Sequence, residues 1–323
     1  MLFSEIVSRL PRAAYELIGF REAPPAALSD AAYRYRAPRR LERYRRAMFD
    51  DRSEIFHSTY YRLPADRRTR VVTTVYDFVY ERFASLPRRI VHSVQKRAAI
   101  TAADRIICIS ESTRRDLLEF VGHHYHDRTL VVPLAAAETF HPVVGTERLS
   151  QVLFVGSRGR YKNFLAVVHA LASLRDISLL CVGGGAFTSE ERTLLDHQLP
   201  GRYRAAGYVS DAELNIEYNR SLCLAYPSLY EGFGIPVLEA MRAGCPVVAV
   251  NASSIPEVAG NAAILVERGS ADEIRYAIES LSVAATREAL VARGLARSRD
   301  FSWDETYRRT VTVYEELLGH SLV

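Results

Sequence analysis

The sequence has few of the residues from which metal centres and disulfide frameworks are built. Its four cysteines are Cys108, Cys181, Cys223 and Cys245, and no two of them have the CxxC spacing of a metal or redox motif. Three lie within apolar runs and the fourth follows a glycine at a predicted helix end. We therefore expect four buried thiols in a protein of a reducing compartment.

Long apolar runs are also absent. No stretch reaches the roughly 18 uninterrupted apolar residues of a membrane span. The first five residues, MLFSE, lack the basic start and long apolar centre of a signal peptide. We expect a cytoplasmic protein that is either soluble or held at the inner face of the cytoplasmic membrane by its surface alone.

The length and the pattern of apolar residues predict two domains. The chain has 323 residues, of which 48% are hydrophobic and 25% charged, which suits two ordinary globular domains. A polar connection at 145–150 separates two series in which apolar strands alternate with helices. This alternation is typical of parallel sheets covered on both faces. We predict an α/β fold of two doubly wound domains, residues 1–145 and 146–305.

The apolar periodicity also places individual elements. Strands are predicted at Val71–Tyr76, Arg105–Ile109, Thr129–Val132, Gln151–Val155, Ser178–Val182, Leu222–Tyr226, Val247–Val250 and Ala263–Val266. Helices are predicted at 2–19 with an interruption at Pro11, at 88–103, from the capping residue Ser110 to Phe120, at 163–174, 211–220, 236–243, 254–258 and 271–281, and near the end through Leu318.

The net charge of +4 is unevenly spread. Segment 34–52 contains eight arginines and three acids, and tyrosines at 33, 35 and 44 are interleaved with them. Such a cluster suits anionic lipid headgroups or a phosphorylated substrate, and a solvated surface is the alternative. Nucleic acid is not expected, because no reader motif accompanies the charge. The arginines are Arg34, Arg36, Arg39, Arg40, Arg43, Arg45, Arg46 and Arg52.

The loop after the strand at 151–155 has the composition of an anion site. Gly156 and Gly159 are interleaved with Arg158, Arg160 and Lys162 before a helix begins. Glycines let backbone N–H groups approach an anion, and the helix N-terminus and the basic side chains add positive charge. We predict a diphosphate site, with a turn of solvated basic residues as the alternative. The spacing fits neither a Walker loop nor GxGxxG, so a nicotinamide cofactor is not expected.

The most informative segment, residues 227–246, places two acids around a glycine-rich turn. Glu231 precedes Gly232 and Gly234, and a proline then suits the first turn of a helix. Glu239 lies about one turn into that helix, so both carboxylates can reach one pocket at the carboxyl end of the sheet. A favourable interaction with the helix dipole is the simpler reading. It does not explain an acid placed before two glycines.

These residues resemble a known family. The spacing of Glu231 and Glu239 is similar to the E-x7-E signature of retaining glycosyltransferases of family 4 (glycosyl transferases group 1), which have the two-Rossmann-domain GT-B fold. The loop 156–163 resembles the family's diphosphate loop, and 206–214 resembles the stretch that contacts the base. Further similar segments are 56–61, 74–77, 103–113, 226–228 and 254–260, so the resemblance covers roughly residues 50–315.

The resemblance implies a role for each matching residue. Glu239 would hydrogen-bond the ribose of a nucleotide-sugar donor, and Glu231 would contact the transferred sugar. Arg158 and Lys162 would neutralise the leaving diphosphate. No cofactor and no metal are then required, and the sequence has no Asp-x-Asp pair to hold one. Other donor-binding residues are expected at Gly156, Gly184, Tyr208, Val209, Tyr230, Gly232, Phe233 and Gly234.

Three residues of the first domain complete the expected site. Many family members have a histidine before the aspartate of a strand-end loop, where this chain has Tyr76 and Asp77. We expect Asp77 to take part in catalysis and His57 and Tyr76 to be candidates on the acceptor side. Packing of Tyr76 in the core is the alternative. The resemblance also predicts that a closing helix, at 306–323, packs back towards the first domain.

The start of the chain departs from the family pattern. Family members begin with an apolar strand and a glycine-rich loop, whereas this sequence begins at what resembles the helix that follows them. The absent strand would leave a gap in the middle of the N-terminal sheet. We expect either that the assigned start lies downstream of the true one or that the gene has been shortened.

The predicted function is transfer of a hexose, such as mannose or glucose, with retention and without metal. The donor would be a GDP- or UDP-hexose and the acceptor a saccharide or lipid-linked molecule in polysaccharide or lipopolysaccharide assembly. The arginine-rich segment would dock the acceptor-side domain to anionic lipid. The alternative is a shortened, inactive relative that binds nucleotide-sugar and serves as a scaffold subunit.

Overall fold

The computed structural model describes residues 2–20, 22–24, 28–49 and 53–322, with the backbone alone described at 86–88 and 91. The chain forms two compact units. Unit 1 consists of residues 1–134 and 302–323, and unit 2 of residues 135–301. These bounds fall a short distance before the expected boundaries at 145 and 305.

Unit 1 contains two parallel sheets in the part of the chain that the model describes. The smaller pairs β1 (Leu17–Gly19) with β2 (Tyr33–Tyr35). The larger has the order β3-β4-β5-β6. Its strands are β3 (Ile55–Ser58), β4 (Arg70–Val75), β5 (Arg105–Cys108) and β6 (Thr129–Val131). The helices of unit 1 are α1 (Leu2–Val7), α2 (Val79–Phe83), α3 (Leu86–Ala102), α4 (Glu111–Phe120) and α12 (Trp303–Leu318).

The C-terminal helix α12 is part of unit 1 and is fixed there by side-chain contacts. The hydroxyl of Thr306 donates to the carbonyl of Pro133 at 2.7 Å, and Arg9 pairs with Asp304 at 3.0 Å. Tyr314 of α12 is hydrogen-bonded to His57 of β3 at 2.6 Å. Segments far apart in the sequence therefore complete one folding unit.

Unit 2 contains one six-stranded parallel sheet with the order β12-β11-β10-β7-β8-β9. Its strands are β7 (Gln151–Val155), β8 (Ser178–Val182), β9 (Tyr203–Gly207), β10 (Cys223–Tyr226), β11 (Val247–Val250) and β12 (Ile264–Val266). Its helices are α5 (Phe164–Ala172), α6 (Ser189–Gln198), α7 (Asp211–Arg220), α8 (Ile235–Arg242), α9 (Ile255–Ala259), α10 (Ala271–Ser280) and α11 (Ala284–Ser298). The inner strands are buried on both faces, which is why their sequences are near-continuous apolar runs.

The predicted mixed α/β fold with parallel sheets is confirmed, and most predicted strands of unit 2 agree with the model to within a residue. The helix predicted over 2–19 is wrong beyond Val7. A 3-10 turn at Arg12–Ala14 and strand β1 follow instead. Pro11 explains the break, since it lacks an N–H donor and disfavours helical geometry in the residue before it.

All four cysteines are buried free thiols, as expected. Among the helices of the described residues, none is long and apolar enough to cross a bilayer.

Candidate active site

The strand order of unit 2 fixes where a ligand site is expected. Successive strands step from β7 to β9 in one direction and from β10 to β12 in the other, so the order reverses between β7 and β10. In open α/β sheets, ligands bind at such a switch point, outside the carboxyl ends of the strands. The loop 156–163 follows β7 and the segment 227–234 follows β10. The two segments singled out from the sequence therefore begin on adjacent strands at the switch point.

An ion pair joins these two segments. The ammonium Nζ of Lys162 lies 2.5 Å from Oε1 of Glu231, and both side chains are largely buried, at 12% and 13% exposure. The same ammonium donates to the hydroxyl of Tyr226 at 3.4 Å. The backbone N–H of Leu229 also donates to the carbonyl of Tyr161 at 2.8 Å. Backbone and side chains together hold the cation and the carboxylate at the end of the sheet.

The backbone of Glu231 is fixed by two serines after β11. Its N–H donates to the hydroxyl of Ser253 at 2.8 Å, and the hydroxyl of Ser254 donates to its carbonyl at 2.9 Å. Ser253 adopts a φ of 51°, which few residues other than glycine do. Ser253 lies outside the site predicted from the sequence. The run Asn-Ala-Ser-Ser directly after a buried strand was the available signal.

Helix α8 begins beside this carboxylate. Gly234 precedes it with a φ of 100°, and a Cβ at that position would lie 2.9 Å from Cδ1 of Ile255. Only glycine fits both the conformation and the close packing. Tyr230, Gly232 and Phe233 are buried, and the ring of Phe233 packs edge-on against Phe301. Phe233 can therefore offer a ligand only its backbone groups.

Glu239 lies within α8 in a separate environment. The hydroxyl of Tyr218, on α7, donates to its Oε2 at 3.0 Å, and both side chains are buried. Burial raises the pKa of Glu239 to about 7, because a carboxylate loses its hydration there. The two glutamates of the signature therefore differ: one is held by a lysine and the other by a phenol.

Arg158 does not join the Lys162 and Glu231 pair. Its guanidinium donates to Glu191 at 3.0 Å and to the carbonyl of Ala186 at 2.7 Å, and it stacks on Phe187. Its charge is thus countered by a carboxylate of α6. The expected role of Arg158 at a diphosphate stays a prediction.

The remaining donor-side candidates lie at other strand ends of the same sheet. Gly184 follows β8 with a φ of 70°, and a Cβ there would lie 2.7 Å from the carbonyl oxygen of Gly156. This contact requires glycine where the loops after β7 and β8 meet. Tyr208 and Val209 follow β9, the edge strand, and Tyr208 is 88% exposed. A base could stack on a ring so exposed.

Three predicted site residues, His57, Tyr76 and Asp77, lie in unit 1. His57 is half-buried, with Nδ1 hydrogen-bonded to Tyr314 and Nε2 to Thr74 at 2.8 Å, and the loss of hydration around its ring lowers its pKa to about 3. Burial raises the pKa of the half-buried Tyr76. Asp77 accepts from the N–H of Val79 at 3.0 Å through its carboxylate. Both ring nitrogens of His57 are hydrogen-bonded within unit 1, and the expected roles of His57, Tyr76 and Asp77 stay predictions.

Two family models divide the chain between them. Residues 4–136 match the model described as Glycosyltransferase Family 4, and residues 138–292 match the model described as Glycosyl transferases group 1. The two matched models and the two parallel α/β units together identify a glycosyltransferase of the GT-B type. Together the two models match most of the chain, which is therefore of the glycosyl transferases group 1 and family 4 type.

Curated relatives include named mannosyltransferases. O-antigen chain mannosyltransferase B of Escherichia coli is 29% identical, over 93% of this chain and 83% of the relative. Serotype-specific mannosyltransferase WbdA of Escherichia coli is 28% identical, over 75% of this chain but 32% of the relative. The chain therefore spans about a third of the length of WbdA.

Solved structures confirm the fold. Sucrose-phosphate synthase from Thermosynechococcus elongatus matches with a TM-score of 0.69 at 23% identity, over 82% of this chain and 74% of that one. Anabaena HepE in complex with UDP-glucose matches with a TM-score of 0.65 at 18% identity, over 77% of this chain and 73% of that one. At these identities the likeness concerns the fold alone.

Proposed function

We propose that this glycosyltransferase moves mannose from a nucleoside-diphosphate donor to a saccharide or lipid-linked acceptor, with retention and without a metal. The observation that carries the proposal is the Lys162 and Glu231 pair at the switch point of the unit 2 sheet, beside the start of α8. The mannosyltransferase relatives support the sugar, and the UDP-glucose complex of HepE supports a nucleotide-sugar donor. Synthesis of a surface polysaccharide such as an O-antigen is the setting that these relatives favour.

Each group has a part in the proposed reaction. The bond between the sugar's anomeric carbon and the diphosphate oxygen breaks, the acceptor hydroxyl oxygen bonds to that carbon on the same face, and the hydroxyl proton passes to the departing diphosphate. Negative charge grows on the departing diphosphate, where Lys162 and the N–H groups at the start of α8 stabilise it. Before the bond breaks, Glu231 orients the sugar and Glu239 accepts hydrogen bonds from the ribose. Arg158 would first have to release Glu191, so we assign the larger charge contribution to Lys162.

A donor panel tests the proposal. The protein is incubated with GDP-mannose, UDP-glucose and other nucleotide-hexoses, and released nucleoside diphosphate and transferred sugar are measured. We expect turnover with GDP-mannose, a loss of at least about 100-fold in Glu231→Gln, and near-normal rates in the control Glu288→Gln, whose side chain is exposed on α11. Nucleotide binding without turnover by any donor would instead favour the scaffold function.

Two measurements address the mechanism. Retention is read from the anomeric configuration of the product by nuclear magnetic resonance, and an inverted product would contradict it. Metal independence is read from the rate in excess chelator, which we expect to equal the untreated rate.

We also propose that unit 1 docks on an anionic membrane surface, where a lipid-linked acceptor would lie. The arginine-rich segment carries exposed apolar side chains, with Leu41 66% exposed and Met48 and Tyr44 more than half exposed. It contacts α3 through the amide of Gln95, which donates to the carbonyl of Arg43 at 3.0 Å. Exposed arginines beside exposed apolar groups suit the headgroup region. Arg52 lies outside the described residues.

Helix α3 extends this surface. Ile90 and Val94 are four residues apart on one helix face and more than half exposed, and Phe83 of α2 is nearly half exposed. We expect flotation with vesicles of phosphatidylcholine and phosphatidylglycerol but not with phosphatidylcholine alone. Binding should fall in the double variant Ile90→Ser, Val94→Ser and in the triple variant Arg40→Ser, Arg43→Ser, Arg45→Ser. The control Leu165→Ser, exposed on unit 2, should bind normally, and equal binding by all variants would contradict the proposal.

A further inference from the structure

The loop after β8 begins with three glycines in an unusual conformation. Gly183, Gly184 and Gly185 have φ angles of 79°, 70° and 74°. Residues with a side chain avoid this left-handed region, because their Cβ atom would approach the following carbonyl oxygen too closely. Successive glycines therefore form a left-handed turn here that other residues would adopt only at a cost in free energy.

The carbonyl groups of this turn surround one side chain, that of Arg158. Its Nη1 donates to the carbonyl of Gly183 at 3.4 Å. Its Nη2 lies 3.4, 3.3 and 2.7 Å from the carbonyl oxygens of Gly184, Gly185 and Ala186. The side chain of Arg158 is 4% exposed, so the turn largely encloses it.

The remaining guanidinium nitrogen ties the turn to helix α6. Nε of Arg158 donates to Oε1 of Glu191 at 3.0 Å. Oε2 of the same carboxylate accepts from the N–H of Thr188 at 2.9 Å, and the hydroxyl of Thr188 accepts from the N–H of Glu191 at 3.1 Å. This reciprocal pair caps the start of α6. All three nitrogens of the guanidinium therefore have acceptors within unit 2.

Arg158 belongs to the loop after β7, so these contacts join two loops at the same end of the sheet. A Cβ at Gly184 would lie 2.7 Å from the carbonyl oxygen of Gly156 and 2.8 Å from Nη1 of Arg158. The N–H of Gly156 donates to the carbonyl of Val182 at 2.9 Å. The two backbones thus meet closely where β7 and β8 end, and the loop that Arg158 holds also carries Lys162.

We propose that Arg158 is a positioning residue that holds the loops after β7 and β8 together and is not a ligand of the donor diphosphate. It keeps Gly156 and Lys162 where the diphosphate would bind, and in this respect the inference rests on the proposed function. A phosphate could reach the guanidinium only by displacing the carbonyls or Glu191, and each displaced group would then need another hydrogen-bond partner. Lysine is no substitute, because its ammonium lacks the planar fork of donors.

Hydrogen exchange of the ligand-free protein tests the contact between the loops directly. The variants are Arg158→Lys, Arg158→Gln and the control Arg192→Gln, which changes an exposed cation of α6 and should behave as the unmodified protein. In both Arg158 variants we expect the hydrogen-bonded amides of Gly156 and Gly183 to exchange at least about tenfold faster, because the loops would open more often. Exchange of residues 264–266 of β12 should be unchanged and shows that each variant is folded.

Binding of inorganic pyrophosphate separates positioning from direct contact with phosphate. Titration calorimetry at physiological salt measures the dissociation constant of each variant. If Arg158 positions the loops, Arg158→Lys and Arg158→Gln should weaken binding equally, to within about threefold, although only the first retains the charge. If Arg158 contacts phosphate, Arg158→Lys should keep most of the affinity and Arg158→Gln should lose it, since an ammonium also binds phosphate.

Steady-state kinetics with GDP-mannose give a third measurement. We expect Arg158→Lys to raise KM by about tenfold and to leave kcat within about threefold, because the loops hold the donor equally in the ground state and the transition state. A fall in kcat of about 100-fold at unchanged KM would overturn the proposal, since it would mean that the guanidinium stabilises charge in the transition state.

The exchange and binding results decide between the two roles of Arg158. Faster exchange in both variants, with equal weakening of pyrophosphate binding, supports the proposal. Unchanged exchange of Gly156 and Gly183 overturns it, and so does a pyrophosphate affinity that follows the charge at position 158. Faster exchange and equal weakening in a protein that turns over no donor would support the positioning role and contradict the proposed function.

Discussion

Two buried lysine–glutamate pairs, one in each unit, have nearly the same geometry and different surroundings. In unit 1, Lys96 lies 2.8 Å from Glu81, with both side chains below 10% exposure, and its ammonium also donates to the carbonyl of Asp77. In unit 2, Lys162 lies 2.5 Å from Glu231 at slightly higher exposure. The first pair joins two helices beneath the surface. The second joins two glycine-containing loops at the carboxyl ends of adjacent strands.

The two ion pairs therefore differ in where they lie relative to the sheets, and much less in their own geometry. Lys96 is enclosed by its own unit, including the ring of Phe78 at 4.4 Å, so its charge is already balanced. Lys162 lies where the strand order reverses, and in the proposed function an incoming diphosphate would replace Glu231 as its partner.

The largest effect is expected from removing the enclosed lysine. Lys96→Met leaves Glu81 as a buried, unpaired carboxylate, so the free energy of unfolding of unit 1 should fall by about 3–5 kcal/mol. Urea unfolding followed by the fluorescence of Trp303, the single tryptophan and a residue of unit 1, measures this. A loss below about 1 kcal/mol would show that the pair contributes little.

Lys162→Met should affect turnover more than stability. We expect kcat to fall by about 100- to 1000-fold, as when a group that stabilises transition-state charge is lost. The control is Arg160→Met, an exposed cation of the same loop, which should stay within a few-fold of normal. Equal losses in the two variants would mean that the loop acts through its overall charge.

The two units should respond oppositely to pH, beginning with His57. Its pKa is lowered to about 3 in the folded chain, so between that pH and about 6.5 the unfolded chain binds more protons. Acidification should therefore destabilise unit 1, by on the order of 2 kcal/mol between pH 6.5 and 5. His57→Gln should remove this pH dependence, as measured by Trp303 fluorescence in urea, and the exposed control His197→Gln should keep it.

Glu239 should give the opposite dependence in unit 2. Its pKa is raised to about 7, so between about pH 4.5 and 7 the folded chain binds more protons than the unfolded chain. The stability of unit 2 should decrease by on the order of 2 kcal/mol as the pH rises through this range. Glu239→Gln should lack the decrease in circular-dichroism melts at pH 5 and 7.5, and Glu288→Gln should retain it.

The local pattern of apolar residues predicts the strands of unit 2 better than those of unit 1. Strands such as Gln151–Val155 are continuous apolar runs because the sheet buries both of their faces. β9, with the sequence YRAAG at a sheet edge, lacks that signal and was not predicted. Strands β1 and β2 have three residues each, and their pairing depends on contacts that no local pattern contains.

In the candidate active site, too, local sequence predicts some residues, whereas the contacts between distant segments cannot be predicted from it. The glycines and Glu231 could be identified because a turn and a helix start demand particular residue types. That Lys162 pairs with Glu231 while Arg158 turns to Glu191 could not be predicted, because it depends on which strands are adjacent. Tyr218 as the partner of Glu239 likewise comes from another helix.

The return of α12 to unit 1 bears on the order in which the chain folds during synthesis. Unit 2 is continuous in sequence, so it is complete before residues 302–323 have left the ribosome. Unit 1 is not, because Tyr314, the partner of His57, is made after all of unit 2. The half of the protein that is translated second is therefore the first able to finish folding. Until α12 has emerged, residues 1–134 lack the hydrogen bonds that Tyr314 and Thr306 make with His57 and Pro133.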